Sequence, residues 1–146
     1  MRPTRRTTAL ALAAVTALAL TACSDDSDNE PTSSLGLPDG ISENVAATAG
    51  AGLAATDGPL WVVTYGSSTN PLVAGDVSAD GQTVTVELTN DPDAPATADL
   101  VPTTSFVDLP DDVAADEPID VVLGDLGTVT VDPADVGSVV WLDAEG

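Results

Sequence analysis

The segment Thr83-Val84-Thr85-Val86-Glu87-Leu88-Thr89 alternates without interruption between polar and apolar residues. Successive side chains of a β-strand point to opposite faces, so this pattern predicts a half-buried strand. Asp80-Gly81 precedes it, a dipeptide favoured at the centre of two-residue hairpin turns. A hairpin with that turn places three residue pairs on one face. The pairs are Val77 with Val84, Gly75 with Val86, and Val73 with Leu88.

Further short segments rich in β-branched and apolar residues follow, separated by Pro, Asp and Gly. A second hairpin is predicted across residues 124–127. Its register sets Val121 opposite Val129 and Ile119 opposite Val131. Other strands are predicted at residues 60–65, 103–109 and 138–142. About seven strands without a long helical pattern predict an all-β domain over residues 59–146, a small antiparallel sandwich or barrel.

Aromatic side chains are few: two Trp, one Tyr and one Phe. Large aromatic residues in a small domain usually fill its core, because they bury the most apolar area. We therefore expect all four to pack inside the domain: Trp61, Tyr65, Phe106 and Trp141.

Two segments of different composition lie ahead of this domain. Residues 23–40 are rich in Asp, Ser and Pro, and their low hydrophobicity and high charge predict a disordered tether. Repulsion among its carboxylates is expected to extend the tether. Residues 41–58 are rich in Ala and Gly, and this composition leaves open a short helix or an edge strand.

The three basic residues all lie ahead of an apolar run over residues 9–22, which is followed by Cys23. They are Arg2, Arg5 and Arg6. The run is shorter than the roughly 20 residues of a membrane-spanning helix. Residues 1–22 resemble a bacterial lipoprotein signal peptide. The resemblance implies lipid on the Cys23 sulfur, cleavage between Ala22 and Cys23, and a location at the outer face of the cytoplasmic membrane.

Two other interpretations concern the same leader. An ordinary secretory signal, cleaved nearby, would leave Cys23 as a free thiol. The pair Arg5-Arg6 also occurs in twin-arginine export signals, but Thr7-Thr8-Ala9 follows it here without an apolar or aromatic residue. We therefore interpret the arginines as the positive region of the signal peptide. Since Cys23 is the one cysteine, the chain cannot form an internal disulfide.

The charged residues are separated along the chain: all 24 acidic residues follow Cys23, and no basic residue does. Without the leader, the formal charge is −24. Binding of nucleic acid or of anionic lipid headgroups needs Lys and Arg, so this part of the chain is not expected to bind either. Cations and basic proteins remain as candidate partners, because they carry the opposite charge. The alternative is that the negative charge serves solubility alone.

Catalysis has little support in this composition. The chain has no His and no Lys, so the groups that most often act as bases near neutral pH are missing. Paired carboxylates serve some hydrolases, but Asp111-Asp112 and Asp116-Glu117 lie in a predicted exposed loop. We therefore expect no enzymatic activity and no organic cofactor.

Calcium is the cation that these loops favour, because it takes about six to eight oxygen ligands and Asp-rich loops supply them. No segment has the spacing of an EF-hand loop. The candidate ligands lie in two segments, residues 91–93 and 108–120: Asp91, Asp93, Asp108, Asp111, Asp112 and Asp116.

Five short motifs lie between residues 60 and 135: Tyr65-Gly66-Ser67-Ser68, Pro71, Thr97-Ala98-Asp99-Leu100, Leu109-Pro110 and Val129 to Pro133. Together they resemble a group of uncharacterised secreted or lipid-anchored actinobacterial proteins. In that group, cysteines tend to stand at the positions of Asn70 and Ala96. The resemblance therefore implies that the segment after Tyr65 packs beside the start of the 97–100 segment. It implies architecture and location, but no activity.

These observations predict a lipid-anchored extracytoplasmic envelope protein that acts as a non-catalytic binding or structural module. The first alternative is a cation-binding protein that holds calcium in its Asp-rich loops. The last alternative is a hydrolase that uses a carboxylate pair.

Overall fold

The computed structural model describes residues 30–143, which form a sandwich of two open β-sheets. Its strands are β1 Thr32–Leu35, β2 Ala47–Leu53, β3 Leu60–Gly66, β4 Val73–Asp80, β5 Thr83–Thr89, β6 Val101–Val107, β7 Ile119–Leu123, β8 Gly127–Val131 and β9 Val140–Asp143. One sheet has the order β1-β6-β3-β2-β9 and the other the order β4-β5-β7-β8. The predicted all-β sandwich is confirmed, with nine strands in the described residues where about seven were expected.

The β4–β5 hairpin is present, but its turn lies one residue later than predicted. Asp80 pairs with Thr83, so Gly81 and Gln82 occupy the two central positions. Gly81 has a φ of +59°, and within residues 30–143 no residue other than glycine has a positive φ. A positive φ at the first central position alone is the pattern of a type II′ turn, which favours Gly there.

This turn changes the pairing of the two strands. The predicted pairs are wrong, because Val77 pairs with Val86 and Ala79 with Val84. A second shift, between Ala74 and Val77, sets Ala74 opposite Leu88 where Val73 was predicted. A bulge of this kind reverses the face that the following residues occupy. Ala74 is accordingly buried, whereas Val73 is only half-buried.

The second hairpin, β7–β8, is confirmed in its predicted register, with Val121 opposite Val129 and Ile119 opposite Val131. β7 also pairs with β5 in parallel, so this sheet is mixed, whereas the strand pairs of the first sheet are all antiparallel. Between β5 and β7 the chain passes through β6 in the other sheet. That crossover provides the length that a parallel connection requires.

The folded part begins before residue 59, because β1 and β2 belong to the first sheet. β1 lies inside the segment 23–40, so the prediction of disorder is wrong for residues 32–35. Its polar residues form backbone hydrogen bonds with β6. These bonds hold the strand in place although its side chains bury no apolar surface. β2 is an inner strand between β3 and β9, neither a helix nor an edge strand. Its Ala and Gly residues allow both neighbours to approach closely.

The core between the sheets is aliphatic. Its fully buried members include Leu53, Leu60, Val62, Val84, Val86, Val107, Ile119, Val121, Leu123 and Val131. The four aromatic residues do not enter this core, so the prediction that they fill it is wrong. In β3, for example, Leu60 and Val62 point inward, and the alternation of the strand turns Trp61 outward.

The connections between strands gather at the two ends of the sandwich. At the end where the chain enters β1 lie residues 54–59, 81–82, 108–118 and 132–139. We call it the N-terminal end. The opposite end, the distal end, holds residues 36–46, 67–72, 90–100 and 124–126.

The predicted signal peptide over residues 1–22, the predicted cleavage position after Ala22 and the predicted lipidation site, Cys23, all lie outside the described residues. The same holds for the first part of the predicted tether. Within residues 30–143, no helix is long and apolar enough to cross a membrane.

One fully buried side-chain polar atom among the described residues has no hydrogen-bond partner, and it is the Thr103 hydroxyl. Thr103→Val replaces this hydroxyl with a methyl group of similar volume and removes an uncompensated desolvation. We expect the free energy of unfolding to rise by about 1–2 kcal/mol. Chemical denaturation of the purified protein measures this change.

The matched control is the neighbouring residue on β6. The Thr104 hydroxyl donates to the carbonyl oxygen of Gly36 at 2.7 Å, so Thr104→Val removes a hydrogen bond and should lower the stability by about 1 kcal/mol. If both variants lose stability equally, the Thr103 hydroxyl is hydrogen-bonded in solution.

Candidate functional site

The six acidic residues proposed as calcium ligands do not come together. Asp91 and Asp93 lie at the distal end, whereas the other four follow β6 at the N-terminal end. The seven residues of β6 separate the two groups by about 20 Å. Within residues 30–143, no group of three or more His, Cys, Asp or Glu side chains is placed to hold a metal ion. Calcium binding by these loops stays a prediction of the sequence.

Two of the six residues line a cleft at the open edge between β1 and β4. The cleft has a volume of about 450 Å³, and its carboxylates are Glu30, Asp76, Asp108 and Asp111. Asp112 and Asp116 are exposed elsewhere in the same loop, and neither lines the cleft. Of the two carboxylate pairs considered for hydrolysis, Asp111-Asp112 therefore has one member at the cleft and one on the open surface. Both members of Asp116-Glu117 lie on the open surface.

The loop over residues 108–118 is held to the β4–β5 turn by the Gln82 side chain. Its amide nitrogen donates to the Ala114 carbonyl at 2.9 Å, and its amide oxygen accepts the Ala114 N–H at 2.8 Å. Val113, a residue of the same loop, is buried and packs in the core. The acidic residues of this loop consequently stand on a fixed backbone.

The densest polar cluster lies at the distal end, where the β3–β4 connection meets the β5–β6 connection. The Ser67 hydroxyl accepts the Thr97 backbone N–H at 2.8 Å and lies 2.9 Å from the Thr97 hydroxyl. The Thr97 hydroxyl donates to Asp99, which also accepts the Ser68 N–H at 3.2 Å. Because Thr97 donates its proton to the carboxylate, Ser67 is the donor to Thr97. We call Ser67, Ser68, Thr97 and Asp99 the distal cluster.

These hydrogen bonds stabilise the charged form of Asp99. The Ser68 side chain, then the Thr97 side chain and the Ser68 backbone N–H, lower the pKa of Asp99 from 3.8 to about 2. The carboxyl is fully exposed, so solvent screens its contribution to stability. With a lowered folded-state pKa, that contribution is present above pH 3.8 and is lost as the pH falls towards 2.

Asn70 joins the same two connections. Its amide nitrogen donates to the carbonyl oxygens of Asp91 at 2.7 Å and Ala94 at 3.2 Å, and its amide oxygen accepts the Asp91 N–H at 3.1 Å. The Thr69 hydroxyl adds a bond of 3.0 Å to the Pro95 carbonyl. Where the resemblance places a cysteine, this chain therefore has a side chain that binds the facing connection without a covalent bond.

The predicted contact between the segment after Tyr65 and the start of the 97–100 segment is confirmed by these hydrogen bonds. Two of the motifs, Tyr65-Gly66-Ser67-Ser68 and Thr97-Ala98-Asp99-Leu100, supply every residue of the distal cluster. Sequence reasoning did not select the cluster as a site, because Ser, Thr and Asp in adjacent loops are also ordinary turn residues. No family model, curated protein or solved structure matches the chain.

The distal cluster has the chemistry of a recognition surface. Its hydroxyl groups donate and accept hydrogen bonds, whereas the Asp99 carboxylate only accepts them. A serine nucleophile is activated by an adjacent base, and here the Ser67 proton is directed to another hydroxyl. The cluster also organises the loops, since Ser67 accepts the N–H groups of Thr69 and Asn70 at 3.3 Å each.

The Asp99 geometry predicts a titration that NMR can follow. The side-chain carboxyl carbon resonance of Asp99 should titrate with a midpoint near pH 2. In Ser68→Ala, the loss of the hydroxyl removes the largest cause of the shift, so the midpoint should rise towards 3.8. Ser78→Ala, a substitution in β4 outside the cluster, is the control and should leave the midpoint unchanged. A wild-type midpoint at 3.8 would contradict the hydrogen-bonded cluster.

Proposed function

We propose that this chain is a lipid-anchored extracytoplasmic protein whose sandwich is a non-catalytic binding module. The observation that carries the proposal is the leader over residues 1–22, in which three arginines and an apolar run precede the single cysteine, Cys23. The first strand, β1, begins at Thr32, nine residues after Cys23. Nine residues span at most about 32 Å. A diacylglyceryl group on Cys23 would therefore hold the N-terminal end of the sandwich within that distance of the membrane.

This tethering gives the two ends of the sandwich different surroundings. The N-terminal end faces the membrane and carries acidic connections, among them the cleft lined by Glu30 and Asp111. Anionic lipid headgroups repel these carboxylates, so this end is not expected to rest on the lipid surface. The distal end is the farther of the two from the tether, where a partner can reach it.

The composition supports binding rather than catalysis. Residues 24–146 contain no His, Lys or Arg, so proton transfer near neutral pH would depend on carboxylates alone. The described loops are held in place by side-chain hydrogen bonds from Gln82 and Asn70. Fixed loops on a rigid scaffold are the usual basis of a preformed recognition surface.

Cys23→Ser tests the anchor. The substitution removes the thiol that accepts lipid and leaves the apolar leader unchanged. Labelled palmitate, incorporated by bacterial cells that express the chain, should therefore be absent from the variant, and uncleaved precursor should accumulate. The control is Ser24→Ala, which keeps the thiol and should label as the wild type does. Equal labelling of Cys23→Ser and the wild type would disprove the lipoprotein assignment.

A further inference from the structure

All four aromatic residues of the chain lie on one face of the first sheet, the face turned away from the core. Trp61 is paired with Phe106 and with Gly52, and Trp141 is paired with Gly50. Tyr65 follows Trp61 by four residues in β3 and therefore has the same orientation. We call this surface, with Val63 at its centre, the aromatic face.

Two rings of the aromatic face pack against each other. Tyr65 and Trp141 are in contact, with ring centroids 6.0 Å apart and planes inclined at 39°. The Trp141 ring lies directly on Gly50, since a β-carbon there would come within 2.8 Å of Trp141 Cε3. Val63 has no exposed surface although it lies outside the core. Trp141 and Val139, which both lie on Gly50 beside Val63, contribute to covering it.

The rings themselves remain accessible. All four aromatic side chains are half-buried, in contrast to the fully buried core residues behind them. Trp61 and Trp141 lie on strands two positions apart, which corresponds to about 10 Å. A ligand that touches both rings must therefore be longer than a single sugar or amino acid side chain.

The surroundings of the rings are neutral and hydroxyl-rich. On the same face, Thr32 is paired with Phe106, and Ser34 with Thr104. The five strands of this sheet contain one charged residue, Asp143 at the end of β9. In a chain with 24 carboxylates and no base after Cys23, such a face is chemically distinct from the rest of the surface.

Charge then selects among the ligands that an aromatic surface can take. A second copy of this chain, an acidic protein and an anionic bilayer are all repelled by the net charge of the domain. A basic protein is drawn to the Asp-rich connections rather than to this neutral face. The carboxylates neither attract nor repel a neutral ligand, so such a ligand can bind the aromatic face without electrostatic repulsion.

We propose that the aromatic face binds a neutral polysaccharide, with sugar rings stacked on Trp61 and Trp141 and sugar hydroxyls hydrogen-bonded to the Ser and Thr side chains at its side. The apolar C–H face of a sugar ring packs on an aromatic ring, and its equatorial hydroxyls need polar partners at the rim. The proposal names the ligand class of the binding module proposed above, and it does not depend on the lipid anchor.

The chain offers a direct signal for this binding. Trp61 and Trp141 are its two tryptophans, so tryptophan emission reports on the aromatic face alone. We would titrate the purified full-length chain, in a polyoxyethylene detergent without sugar headgroups, with hydroxyethylcellulose, laminarin and mannan. The anionic polygalacturonate serves as the charged control. We expect a saturable change in emission with at least one neutral polysaccharide and none with polygalacturonate.

Affinity electrophoresis in native gels gives a second measurement that needs no tryptophan. The acidic chain migrates rapidly towards the anode, and a bound neutral polysaccharide in the gel retards it. Trp61→Ala should weaken the retardation constant about tenfold, which corresponds to about 1.4 kcal/mol. Trp61→Tyr keeps an aromatic ring and should restore most of the binding. The matched control is Leu126→Ala, which removes an exposed apolar side chain in the β7–β8 connection of the other sheet.

Circular dichroism of each variant shows whether it keeps the wild-type fold, and a misfolded variant is replaced by Phe106→Ala on the same face. Three results would overturn the proposal. The first is an unchanged emission and mobility with every neutral polysaccharide. The second is binding that survives Trp61→Ala and Phe106→Ala. The third is a dimer in analytical ultracentrifugation that the same substitutions dissociate, since the face would then join two copies. Palmitate labelling is independent of all three.

Discussion

The close contact between β2 and the segment leading into β9 is the constraint on which the rest of the first sheet depends. A β-carbon at Gly50 would lie 2.7 Å from Val139 Cγ1 and 2.8 Å from Trp141 Cε3, and a β-carbon at Gly52 would collide with the Ser138 carbonyl oxygen. Only glycine permits these approaches. They place Trp141 on the outer side of the sheet and direct Val140 and Leu142 to the core.

This arrangement explains why a chain so poor in aromatic residues has an aliphatic core. Val, Leu and Ile from both sheets fill the interior, and the aromatic rings lie on the outer face of the first sheet. Ion pairs with Lys, Arg or His contribute nothing to residues 30–143, because these residues contain none. Burial and hydrogen bonding therefore stabilise the sandwich against the repulsion among its carboxylates. The loops that carry those carboxylates are fixed by neutral side chains such as Gln82 and Asn70.

The sequence predicted the features that depend on local pattern. The register of β7–β8 follows from its alternating residues and was predicted correctly, but the connection is one residue shorter than predicted, because Gly127 already pairs with Leu123. The β4–β5 register was misassigned because Gly81 suits either of two adjacent turns, and the bulge near Ala74 has no local signature. β1 was missed because its partner, β6, lies far along the chain. β2 was left open between a helix and an edge strand because its Ala and Gly residues give no clear strand pattern. The distal cluster was missed for a related reason, since Ser67 contacts Thr97, and Ser68 contacts Asp99, only when two loops come together.

The central claim is that the aromatic side chains lie together on the open face of a sheet, supported by glycines of β2. Nuclear Overhauser effects in the folded, isotope-labelled protein test it most directly. Trp141 Hε3 should give strong cross-peaks to the Gly50 α-protons and further cross-peaks to the Tyr65 ring. Cross-peaks from the Trp141 ring to core methyl groups such as those of Leu60 or Val121, with none to Gly50, would place the ring inside the sandwich and contradict the account.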